Sequence, residues 1–90
     1  MNLYEAIKEM RRISAENGVF SFAFMSYNST AQRSAGVVNV RRARLLKRES
    51  TKHHKNAEIV EAFLDLETME AKRFYQPLLM SFNGQKVILR

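Results

Sequence analysis

Five cations fall within eight residues of this chain: Arg41, Arg42, Arg44, Lys47 and Arg48. Guanidinium and ammonium groups at that density are suited to neutralising phosphates, which makes the run the candidate nucleic-acid-binding segment, with Tyr27 or the phenylalanine rings as surfaces on which bases could stack. Its competing explanations are ion pairs with acids elsewhere in the chain and a solvated sheet rim. A second set, Glu61, Asp65 and Glu67, alternates so that the carboxylates can share a strand face, as an acid/base pair would need. Lys72 and Arg73 return opposite them across a predicted turn, so cross-strand ion pairing is the stronger account. The third set is His53-His54. Adjacent side chains on an extended chain point to opposite sides, so two neighbouring histidines do not make a metal site unaided. Gly18, Gly36 and Gly84 are isolated, there is no cysteine, and no serine stands in a nucleophile-elbow context. The expectation is no catalytic residue, no metal, no cofactor, and no enzyme.

The bulk numbers narrow the class. Ninety residues make one domain, 1–90, and 46% hydrophobic content is too high for disorder. Without cysteine there is no disulfide framework. Residues 1–16 are amphipathic and carry acids, unlike a signal peptide, and no apolar run approaches the roughly 18 residues of a membrane span. A cytoplasmic protein with no membrane contact is expected. The net charge of +6 is uneven: seven of the 15 basic residues lie in 41–55, and five of the nine acids lie in 58–70. That division suits pairing across strands, head-to-tail association, or a mixed-charge surface, the last being the simplest.

The elements that must carry these residues follow from periodicity. Asn2 and Glu5 fit a capping box, and Leu3, Ala6, Ile7, Met10 and Ile13 form one apolar stripe, so a helix is predicted over about 3–16 with Asn17-Gly18 as its left-handed stop. In 19–27, Phe20, Phe22 and Phe24 alternate with Ser21, Ala23 and Met25, which predicts a strand with three rings packed under the helix. Residues 28–36 are polar and are predicted as a loop. The run 36–48 begins with β-branched residues and is predicted as a strand antiparallel to the phenylalanine strand. Strict alternation would place Val38, Arg42, Arg44 and Arg48 on one side, with Val37, Arg41 and Lys47 on the other. Residues 49–56 have nothing apolar to bury and are expected to be the mobile segment. Residues 57–76 have helical propensity, yet Val60, Ala62, Leu64 and Leu66 alternate with acids, so strand, turn, strand is predicted, with Met69 where glycine is usual. Asn83-Gly84 predicts a type I′ hairpin in which Phe82 faces Gln85, Met80 faces Val87, Leu78 faces Leu89, and Leu79 pairs with Ile88 on the other side. Pro77 belongs at a strand start, an edge or a bulge.

The fold class is therefore α+β: an N-terminal helix packed on a mainly antiparallel, meander-like sheet of four or five strands. Apolar residues on both sides of the last hairpin imply either a sheet curled toward a small barrel or a contact with another subunit. The Phe20–Phe24 alternation is superficially similar to an RNA-recognition-motif strand, but the Arg/Lys-Gly opening and a second confident helix are missing. Phe20-Ser21-Phe22-Ala23-Phe24-Met25-Ser26-Tyr27-Asn28, Val40-Arg41-Arg42-Ala43-Arg44-Leu45 and Leu79-Met80-Ser81-Phe82-Asn83-Gly84-Gln85-Lys86-Val87 resemble segments of small uncharacterised proteins encoded in bacterial prophages and integrated mobile elements. The resemblance implies an accessory or assembly role and no reaction. The function expected is a non-enzymatic interaction or assembly protein that binds another protein or itself. The alternative is a nucleic-acid-binding accessory protein using Arg41, Arg42, Arg44, Lys47 and Arg48.

Overall fold

The computed structural model describes residues 1–28, 33–46 and 60–88. One helix, α1 (Leu3–Ala15), packs on a six-stranded antiparallel sheet, β1 (Phe20–Asn28), β2 (Arg33–Leu45), β3 (Val60–Asp65), β4 (Glu70–Tyr75), β5 (Leu79–Phe82) and β6 (Gln85–Lys86). The class is the α+β expected, with six strands where four or five were predicted. The sixth is the two-residue return of the last hairpin.

The helix starts where its cap requires. Asn2 Oδ1 accepts from the Glu5 amide at 2.8 Å, and the Asn2 amide donates to Glu5 Oε1 at 3.3 Å. It stops through Asn17, which holds the left-handed conformation at φ 59°, while the Gly18 amide donates to the Ile13 carbonyl at 2.8 Å. Gly18 is needed for space: a Cβ there would lie 2.7 Å from Ile13 Cγ2. The stripe predicted from spacing puts Ala6, Ile7 and Met10 into the core.

Strands β1 to β4 form a meander, and the sheet order is β4-β3-β2-β1-β5-β6. A 3-10 turn, Gln76–Leu78, carries the chain from one edge of the meander to the far side of β1, with Pro77 in the turn just ahead of β5. In a flat sheet that journey crosses four strand spacings, about 19 Å. The four residue steps from Tyr75 to Leu79 reach at most about 14 Å. The sheet therefore curls, and the curl brings the Phe74 ring of β4 within 5.0 Å of Phe22 and 5.6 Å of Phe24 on β1. It remains open: among the described residues no ladder joins β4 to β5 or β6.

All six phenylalanines of the sequence lie in this interior. Phe63 is fully buried and meets Phe22 edge-on at 5.0 Å, an arrangement favoured by the ring quadrupoles. Phe20, Phe22 and Phe24 pack under α1 as predicted, which leaves them unavailable to stack on a base.

Two other expectations need correction. Residues 33–36, predicted as loop, belong to β2. Ser26 pairs with Gly36 and Tyr27 with Ser34, so the ladder continues across a bulge at which Gly36 takes φ 109°. In the last hairpin, Asn83 (φ 49°) and Gly84 (φ 83°) make the predicted turn, and Phe82 does face Gln85. Beyond Val87 the chain leaves β5: Ile88 bridges in parallel to Asn2, donating to the Met1 carbonyl at 3.0 Å and accepting from the Leu3 amide at 2.9 Å. The predicted Leu79–Ile88 pair does not form, and Leu89 lies outside the described residues. A bulge at Met80, between the Ala23–Ser81 and Phe24–Leu79 pairs, leaves Met80 exposed while Val87 is buried. Residues 57–76 are settled as far as they are described: β3 and β4 pair from Val60–Tyr75 to Asp65–Glu70, with Met69 at φ 58° in the turn.

Candidate functional site

A single irregularity decides where the arginines point. Phe20 pairs with Ala43 and Phe22 with Val40, so Arg41 and Arg42 together oppose Ser21. Without this bulge, alternation would send Arg42 toward the helix. With it, Val38, Val40, Ala43 and Leu45 pack on the core side, and both Arg41 and Arg42 lie exposed on the face that α1 does not cover. The two-sided division of these arginines predicted from strict alternation is corrected accordingly.

The five candidate residues then separate. Neither Arg41 nor Arg42 forms a side-chain hydrogen bond or ion pair with another described residue. Arg44 is committed to the fold: its Nε donates to the Gly18 carbonyl at 3.0 Å and its Nη2 to the Asn17 carbonyl at 2.8 Å. A cation there also complements the negative end of α1. Lys47 and Arg48 lie outside the described residues, as do His53 and His54 and the segment expected to be mobile, while the side chain of Tyr27 is likewise not described. Among the described residues no group of three or more His, Cys, Asp or Glu is gathered as a metal would need.

The acids occupy the opposite side of the sheet. Glu61, Phe63 and Asp65 alternate inward along β3. Glu61 is 1% exposed, and its Oε1 accepts from Arg11 Nη2 at 2.6 Å and Gln76 Nε2 at 2.8 Å. Asp65 accepts from Lys72 Nζ at 3.1 Å and from the Glu67 amide at 3.0 Å. Burial pushes the Asp65 carboxyl upward, but the Glu67 amide and the Lys72 ammonium outweigh it and hold the group below its ordinary value. Of the cross-strand pairing expected with Lys72 and Arg73, the Asp65–Lys72 pair is present; Glu61 pairs instead with Arg11 of the helix, Arg73 stands on the other face of β4, and the β2 arginines take no part. Glu67 lies in the turn after β3.

Arg11 was missed as a partner. It follows Ile7 by four residues, so it continues the buried stripe of α1. A charged group in that position calls for a buried counter-charge, and Glu61 is one. Among the described residues no buried side-chain polar atom lacks a partner, which leaves the interior with no unsatisfied group to explain.

Pairings Asn39–Ala23, Ala23–Ser81 and Ser81–Lys86 align one residue from each of β2, β1, β5 and β6 in a row across the uncovered face of the sheet. Arg41, Arg42 and Ser21 lie alongside. Ser21, Ala23, Asn39, Arg41, Ser81 and Gly84 border an open depression of about 470 Å³. Among the described strand residues this face carries Arg41, Arg42, Arg44, Arg73 and Lys86, and no acid. Its one described aromatic residue, Tyr75, stands apart on the edge strand β4. No helix among the described residues is long and apolar enough to cross a membrane. Compared with known proteins, the chain matches no protein-family model, no curated protein and no solved structure.

Proposed function

We propose that this chain is a non-enzymatic interaction protein that engages its partner through the uncovered face of the sheet, around Arg41 and Arg42. The observation that supports this is the segregation of charge. Glu61 and Asp65 are neutralised on the helix side by Arg11 and Lys72, while Arg41 and Arg42 sit opposite with no acid on their face among the described residues. A fold needs counter-charges for what it buries and has no need of adjacent like charges on a solvated strand. An accessory or assembly role, of the kind implied by the resemblance to prophage and mobile-element proteins, belongs to the proposal. So does a cytoplasmic setting.

The test is capture from a lysate of the native host by the tagged parent chain and by an Arg41→Glu/Arg42→Glu variant, each with and without nuclease. Molecules retained by the parent and lost by the variant are the expected result. Identical retention by both would place the working surface elsewhere.

A further inference from the structure

Resting on that reading, we infer that the partner is the phosphodiester backbone of a nucleic acid, held across β2, β1, β5 and β6 without regard to base sequence. The cations stand at two ends of one strip. Arg41 and Arg42 lie on β2, and Lys86 lies on β6 in the row Asn39–Ala23–Ser81–Lys86. Three strand spacings separate those ends, about 14 Å. Between them the side chains are short and mostly polar: Ser21, Ala23, Asn39 and Ser81, around the open depression. Short side chains let a backbone approach closely, and hydroxyl and amide groups can bond to phosphate or sugar oxygens between the charged ends.

The same composition argues against an acidic protein surface as the occupant. Protein interfaces draw their affinity from a large apolar or aromatic anchor set in a central pocket, and the centre of this strip offers none. It also argues against reading of bases. The phenylalanines are inside, and Tyr75 stands two strands away from β2 on the edge strand, so stacking platforms are missing from the strip. What remains is repeated negative charge met by spaced cations.

The experiment is a titration of labelled single-stranded DNA, single-stranded RNA and duplex DNA of several sequences, with polyglutamate as the acidic-polypeptide probe, at a series of salt concentrations. Dissociation constants of about 1 to 100 μM at physiological salt are expected, similar for all sequences. Arg41→Gln/Arg42→Gln is expected to melt like the parent and to flatten the log–log salt slope by about 1.4 units on a single strand or 1.8 on a duplex. Lys86→Gln should flatten it by about half as much. Arg44→Gln, whose guanidinium serves the helix end, should leave the slope unchanged. The relative strength of single-strand and duplex binding identifies which form the strip prefers. No oligonucleotide complex even at low salt, or a complex whose slope ignores the Arg41/Arg42 change, overturns the inference. Tighter binding to polyglutamate than to any oligonucleotide overturns it too, yet leaves the uncovered face as the working surface. Host capture that depends on Arg41 and Arg42, without oligonucleotide binding, separates the two failures in the same way.

Discussion

The two faces of this sheet are built from the same strands and obey different rules. On the side toward α1, burial decides the central positions: six phenylalanines interlock, and the carboxylates of Glu61 and Asp65 each have a cation and a further hydrogen-bond donor. On the other side, Ser21, Ala23, Asn39 and Ser81 lie beside Arg41 and Arg42, which touch no counter-ion among the described residues. The difference teaches where selection for folding ends. The inner face can be accounted for by packing and electrostatic satisfaction alone, whereas the charge of the outer face cannot, and that remainder is what we assign to binding.

Substitutions should show the same division. The largest loss belongs at the centre of the covered face. Phe63→Ala removes a fully buried ring touching Phe22, Phe24 and Phe74 and should cost about 3–5 kcal/mol in urea denaturation. A cost below 1 kcal/mol, roughly that of a surface change, would mean the interior is not packed as described. Next comes Glu61→Ala. Breaking a fully buried pair costs about 3–5 kcal/mol, but the Arg11 side chain is 46% exposed and can turn to water, so about 1–3 kcal/mol is expected. If stability rose instead, the buried carboxylate would be a liability retained for another purpose.

The turns should rank third. Gly84→Val forces a β-branched residue to φ 83° and should cost about 1–2 kcal/mol; a variant that melts like the parent would contradict the type I′ assignment. A smaller effect distinguishes the faces by pH. The Asp65 carboxyl is held below its ordinary value when folded, so its contribution is present above the unfolded value of about 4 and is lost as pH falls through the lower folded value. Asp65→Asn should therefore flatten the acid side of the stability–pH curve and leave the neutral-to-alkaline side parallel to the parent. An unchanged acid limb would exclude this group as its source.

Much of the covered face was legible in the sequence because it depends on local rules. Capping, the apolar stripe of α1, the Phe20-Phe22-Phe24 alternation and Asn83-Gly84 each signal a structure within a few residues. Even Met69 in the glycine position was readable, since acids alternating with Val60, Ala62 and Leu64 outweighed helical propensity. The candidate site was harder. Its composition was plain, but the direction of Arg42 depends on a bulge created by pairing between β1 and β2, and no local pattern in 36–48 announces it. The partner of Glu61 was likewise non-local, 50 residues away on α1. The strand character of 33–36 was hidden by polar residues whose ladder is supplied by β1. The fate of Ile88 was hidden for a similar reason, because the chain's own beginning competes with β5 for it.

The most direct test of the account is urea denaturation of Arg41→Gln/Arg42→Gln beside the parent at low ionic strength. If these adjacent cations are surplus to the fold, removing them relieves like-charge repulsion, and stability should stay within about 0.5 kcal/mol of the parent or rise. A loss of more than about 1 kcal/mol would show that the arginines hold the sheet together, and would contradict the claim that the uncovered face is charged for a partner.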